Sequence, residues 1–281
     1  MQNAGRLKPE ETPKKTESRP MIPPEIHAEI MSRLAATERE HGVRILMAIE
    51  SGSRAWGFAS PNSDFDVRFI YARPADDYLS LDLEDRRDVI EYPIVDDIDL
   101  NGWDLRKALR LFWKSNPGFV EWIQSPIKYI ENGLFAEEAR RLLPQVYSCE
   151  RGIHHYRSSA KGNYREHLRG EMVRLKKYFY VLRPLLAVRW LERYGTAAPI
   201  EFASLLHLID GETELLADIA QMLEKKRGAP ELGLSAPFPR VNAFIEAELA
   251  RLDTAVPEPD DVRAVLPSLN ALFLATARES W

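Results

Sequence analysis

Asp64 and Asp66 flank a single phenylalanine at the head of the string DFDVRFIY. Residues 66–71 alternate as a strand does, and residues two apart on a strand project from one face. The two carboxylates therefore lie side by side, with Phe65 and Val67 turned the other way, into a core. Paired carboxylates repel one another unless a cation lies between them. Hard oxygen donors with room left for phosphate and water suit Mg2+, or Mn2+ in its place. Upstream, Gly52-Ser53 ends the apolar run VRILMAIE, residues 43–50, which is consistent with a buried strand. Glycine lets a backbone approach a ligand closely. Ser53 is expected to open a short helix whose free N–H groups and hydroxyl would face a phosphate. A triphosphate held there would lie across metal ions bound by Asp64 and Asp66. Two ions about 3.5–4 Å apart can stabilise both the attacking and the leaving oxygen of a displacement.

Either element alone says little, because Asp-x-Asp pairs are common on exposed strands and Gly-Ser is a common turn. The informative observation is the two together, each beside an apolar strand. Further along, two more acids alternate with apolar residues in a strand-like run. Asp97 and Asp99 alternate with Ile98 and Leu100, so both face away from the core. Asp96 falls on the wrong face. Asp104 suits the cap or first turn of the helix that follows. Arg54, next to the Gly-Ser turn, could contact a phosphate or make a surface ion pair. Lys176, Tyr180 and Arg183 share a helix face at i, i+4 and i+7. That stripe could stack a base and pair a phosphate, or be a structural arginine beside a core tyrosine. Arg106 and Lys107 read as solvated. His154-His155 does not make a metal site, since adjacent helical residues face different ways.

The elements that must position these residues follow from periodicity. Residues 1–22 are rich in Lys, Glu, Pro and Thr and read as a disordered tail. A helix starts at Pro23-Pro24, shows Ile26, Ile30, Leu34 and Ala35 at helical spacing, and ends at His41-Gly42. Strands are expected at 43–50, 66–71, 89–92 and 97–101. Beyond Gly102 a helix carries Trp103, Leu105, Ala108, Leu109 and Phe112, and Asn116-Pro117 breaks it. From Leu134 onward nearly everything reads as helix. Met172, Leu175, Phe179, Leu182, Leu186 and Trp190 mark one long helix, which Pro184 should bend. Further helices are expected over 198–209, 212–227, 239–252 and 260–279. The fold class is α+β: a small mixed β-sheet core with flanking helices over 23–130, then an α-helical region over 131–281 that would close on substrate or nucleotide.

The string GSRAWGFASPNSDFDVRFIY, with DIDLNGWDLRKAL and NPGFVEWIQSPI further on, resembles the DNA polymerase β-like nucleotidyltransferase superfamily. Within it, these strings together resemble the RNA-repair-pathway polymerase β family. It is strong over about residues 43–130 and extends, less specifically, through LKKYFYVLRPLLAVRW to about residue 190. The resemblance implies metal-ligand roles for Asp64 and Asp66 and a phosphate role for Ser53. It also favours Asp99 over Asp97 as the third acid, because Asp99 lies nearer the matching GWDLRKAL segment.

The expected activity is transfer of a nucleoside monophosphate from ATP or another nucleoside triphosphate to a hydroxyl. The acceptor could be an RNA end, a protein side chain or a small molecule, and RNA enters only through the resemblance. The competing class is a non-catalytic nucleotide-binding or protein-interaction module on the same fold, with the helical region open to a protein partner. The chain of 281 residues has a net charge of -5, which argues against a general nucleic-acid binder. One cysteine, Cys149, excludes an intrachain disulfide. No apolar run approaches the roughly 20 residues that span a bilayer, and the amino terminus has no apolar signal segment. A cytoplasmic location with no membrane partner is expected.

Overall fold

A computed structural model describes residues 22–228, 233–253 and 262–279. The tail expected over residues 1–22 lies almost wholly outside the described residues. The helices and strands run in chain order as α1 (Pro24–His41), β1 (Arg44–Glu50), α2 (Gly52–Ala55), β2 (Phe65–Ala72), β3 (Val89–Glu91), β4 (Ile98–Asp104), α3 (Leu105–Trp113), α4 (Pro117–Gln124) and β5 (Lys128–Glu131). There follow α5 (Phe135–Val146), α6 (Cys149–His167), β6 (Val173–Arg174), α7 (Leu175–Tyr194), α8 (Thr213–Gly228), β7 (Leu234–Ser235), α9 (Pro239–Asp253) and α10 (Leu266–Ala277). Phe202–Ile209, expected as α-helix, winds as a 3-10 helix, and Val262–Val265 forms another ahead of α10.

Two compact units share the chain. One joins Ser18–Ala55, Asp64–Tyr147 and Asp261–Trp281; the other joins Trp56–Ser63 and Ser148–Asp260, so far as their residues are described. The boundary expected at 130/131 thus falls inside the first unit. The reason is long-range pairing: β5 adds to the sheet as the antiparallel neighbour of β1, and α10 returns to pack on α3 and α5. Neither contact leaves a local trace in the sequence.

The sheet of the first unit has the order β3-β4-β2-β1-β5. β1 and β2 are antiparallel, whereas β2 and β4 run parallel with Asp66 opposite Asp99. Phe65, Val67, Phe69 and Tyr71 of β2 join Ile45 and Ala48 of β1, Ile98 and Leu100 of β4, and Ile30 and Leu34 of α1 in one buried cluster. This is the alternation read from the sequence, and it commits residues 64, 66 and 68 to the opposite face. Local signals set the ends of the helices. Gly42 closes α1 in the left-handed conformation, its N–H donating to the Glu38 carbonyl. The Asp104 side chain caps α3 by accepting from the Arg106 N–H, and Asn116 with Pro117 starts α4. Gly102 in β4 is required by packing. A Cβ there would stand 2.2 Å from the Phe69 ring that crosses it.

In the second unit, α7 is buried on nearly every side and packs chiefly on α6. Trp56–Ser63 is part of this unit. Phe58 stacks on Phe179 with ring centroids 4.8 Å apart and meets Phe202 edge-on. The Phe202 N–H donates to the Trp56 carbonyl at 2.9 Å, and Lys226 donates to the Ser60 hydroxyl.

Candidate active site

β1 ends in Glu50 and the chain turns at Ser51-Gly52. The Ser51 N–H donates to the Asp66 carbonyl at 2.8 Å, which ties the turn to β2. Gly52 has φ +57°, and a Cβ built on it would lie 2.0 Å from Asp66 Oδ2. The glycine thus answers two demands at once: a left-handed backbone, and a side-chain-free surface against which the Asp66 carboxylate rests. Ser53, Arg54 and Ala55 are buried in the single turn that follows.

Asp66 and Asp99 are register partners on adjacent parallel strands, with side chains 26% and 27% exposed. Arg68 donates from Nη2 to both: 3.1 Å to Asp66 Oδ1 and 2.7 Å to Asp99 Oδ2. Its Nη1 donates to the Asp99 and Val67 carbonyls. Asp64 is half-buried immediately before β2, on the Asp66 side of the alternation, and its carbonyl accepts from Arg54 Nε at 3.3 Å. Asp97 is exposed at φ +60°, and its carbonyl accepts from the Phe65 N–H. Asp96 pairs with Arg33. Asp99 is therefore the acid of this strand that stands beside Asp66.

Behind Asp66 lies Glu50, wholly buried. Its Oε1 accepts from the Asp66 N–H at 3.0 Å and its Oε2 from the Tyr129 hydroxyl at 2.6 Å. Arg54 Nε lies 3.9 Å from the same carboxylate. Burial pushes the Glu50 carboxyl up to about 7, and the nearby Asp66 charge adds to the rise; the two hydrogen bonds and Arg54 oppose it. Arg54 is turned inward, with its guanidinium over the Phe65 ring at 3.9 Å. The acid beside it is a buried carboxylate, Glu50, rather than a surface one.

The helical stripe divides. Lys176 and Tyr180 are half-buried, and Tyr180 meets Trp56 edge-on with centroids 5.1 Å apart. Arg183 is only 2% exposed; it donates to the Ile200 carbonyl at 2.9 Å and lies over the Trp56 ring at 4.6 Å. It belongs to the interior of the helical unit. Glu50, Arg68 and Tyr129 escaped the sequence reading. Arg68 carries the same signal as Asp64 and Asp66, being the next residue on their face. Glu50 is an acid at the end of an otherwise apolar buried strand. Tyr129 had no local signal, because β5 was not recognised.

Among the described residues, no three His, Cys, Asp or Glu side chains are gathered to hold a metal ion by themselves. A magnesium site completed by triphosphate oxygens and water needs only one or two protein carboxylates. The facing pair Asp66 and Asp99 has that chemistry, and a cationic nitrogen already lies between its oxygens. No helix among the described residues is long and apolar enough to cross a membrane.

The model of the RNA repair pathway DNA polymerase beta family matches residues 26–275. An uncharacterised protein of Bacillus subtilis (strain 168), YcgL, is 44% identical over 253 residues, which span 90% of this chain and 96% of that one. The crystal structure of a nucleotidyltransferase-like protein from Exiguobacterium sibiricum is 13% identical. It covers 91% of this chain and 80% of its own, with a TM-score of 0.30.

Proposed function

Because the chain belongs to the RNA repair pathway DNA polymerase beta family, we propose that it is a metal-dependent nucleotidyltransferase that moves a nucleoside monophosphate from a nucleoside triphosphate to the hydroxyl of an RNA end. One observation carries the reading: Asp66 and Asp99 face each other across parallel strands, and Asp66 rests against the bare backbone of the Gly52 turn. In this reading Asp66 and Asp99, with Asp64 contributing from just ahead of β2, would hold Mg2+ or Mn2+. The ion would supply charge neutralisation at the reacting phosphate. Ser53 and the turn around it face the triphosphate. The acceptor oxygen forms a bond to the α-phosphorus, and its proton passes to Asp99 or to water. The bond from the α-phosphorus to its bridging oxygen breaks, and pyrophosphate leaves with the electron pair. RNA as acceptor rests on the family's description alone.

The test is incubation with each labelled nucleoside triphosphate, Mg2+ and acceptors that include RNA with a free 3′ or 5′ end. Label should pass to RNA, and Asp66→Asn should abolish the transfer, as loss of a metal ligand implies, while the melting temperature holds. Retained transfer in that variant would exclude Asp66 from the chemistry. Triphosphate binding without transfer to any acceptor would favour a nucleotide-binding module.

A further inference from the structure

Arg68 follows Asp66 by two residues on β2 and so projects from the same face. Asp66 faces Asp99 across the parallel ladder, and Arg68 faces Asn101 one step on. Like charges directly opposite on neighbouring strands are destabilising. The Arg68 guanidinium answers that repulsion: Nη2 reaches Asp66 Oδ1 at 3.1 Å and Asp99 Oδ2 at 2.7 Å, while Nη1 holds the Asp99 and Val67 carbonyls at 2.9 and 3.1 Å. The side chain is 18% exposed.

The oxygens that Arg68 engages are those assigned above to a divalent cation, so this inference rests on that reading. Magnesium takes oxygen ligands at about 2.0–2.1 Å in an octahedral shell that includes water. Nη2 fills the space between the two carboxylates that would hold such an ion, and two cations there would repel. We propose that Arg68 is the built-in counter-ion of Asp66 and Asp99, that a divalent cation must displace it to bind, and that the released guanidinium pairs with the incoming triphosphate. A planar guanidinium matches phosphate oxygens in a bidentate pair, which makes the exchange chemically suited. Metal alone gains two carboxylates but strands a half-buried arginine. Metal with triphosphate leaves every charge partnered. The arginine thereby couples the two ligands: each binds better in the presence of the other.

The test compares the wild type with Arg68→Met, which keeps an aliphatic stem of similar length. Mn2+ binding is measured by calorimetry, alone and with a non-hydrolysable triphosphate analogue. Without the analogue, Mn2+ should bind the variant at least about fivefold more tightly than the wild type, and should raise its melting temperature more. The analogue should tighten Mn2+ binding strongly in the wild type and much less in the variant. Equal or weaker Mn2+ binding by the variant, with the wild type binding normally, overturns the role of Arg68 alone. No Mn2+ binding by either protein, with or without the analogue, overturns the metal reading and this inference together. Should Arg68→Met fold poorly, the same change is made beside Asp99→Asn, where the repulsion is already gone. The metal-free loss of melting temperature should then largely vanish. A loss of equal size in both backgrounds would mark Arg68 as packing and overturn the proposal.

Discussion

Replacing Glu50 with glutamine should stabilise the protein at pH 8 and leave it nearly unchanged at pH 4. The substitution keeps size and both contacts. The amide oxygen can accept from the Asp66 N–H, and the amide nitrogen can donate to the Tyr129 oxygen, whose hydroxyl turns to accept. What it removes is the charge. The folded protein holds the Glu50 proton up to about 7, whereas the unfolded chain releases it near 4.5. Between those values the folded state binds the extra proton, so stability falls as pH rises, by about 1.4 kcal/mol per pH unit. Integrated from 4.5 to about 7, the wild type loses about 3 kcal/mol that the glutamine variant keeps. Urea denaturation of both proteins in the presence of a chelator, at intervals from pH 4 to pH 8, gives the difference directly. It should be near zero at pH 4, grow through pH 5 and 6, and level off above pH 7. A difference that does not change with pH would refute the argument from burial. A variant less stable at pH 8 would show that the carboxylate, charged and paired with Arg54, is the favoured form.

Two other substitutions check the frame around the site. Gly52→Ala should cost well beyond the roughly 1–3 kcal/mol of a strained left-handed residue and abolish the proposed metal-dependent triphosphate binding, because its methyl group collides with Asp66. Gly42→Ala is the comparison: it has φ +60° with nothing within 4 Å of the added atom, so it should show the backbone cost alone in denaturation and leave binding intact. Arg183→Ala should lower stability by about 3 kcal/mol, through an orphaned Ile200 carbonyl and an unfilled space beside Trp56. Unchanged stability with reduced nucleotide affinity would instead return Arg183 to the site.

Much of the sheet unit is legible in the chain because its signals are local. Gly42 ends α1, alternation writes β2, and Asp104 and Asn116 announce the helices they cap. The same alternation placed Asp99 with Asp66, although it could not choose against Asp97, which is exposed at φ +60° in a turn that the pattern does not encode. Long-range pairing was not legible. β5 reads as a short polar segment until β1 is beside it, and α10 reads as a helix of the carboxy-terminal region although it packs with α3 and α5. Arg183 looked like an amphipathic stripe member because spacing reports a face, not what covers it. α7 is covered on nearly every side.

The eight residues between the Gly52 turn and Asp64 are anchored by Phe58, Trp56 and Ser60 to α7, Phe202 and Lys226. The two halves of the motif are consequently joined through the other unit, and the molecule cannot be dissected by one cut. A fragment ending at Tyr147 would carry Phe58 with no aromatic seat, and a fragment beginning at Ser148 would leave Phe179 and Phe202 bare. Exchange of segments between relatives would have to move residues 56–63 together with the helices that hold them. Recombination in this lineage is thus expected to inherit the spacer and the helical unit as one piece, despite the 84 residues that separate Ser63 from Ser148 in the chain.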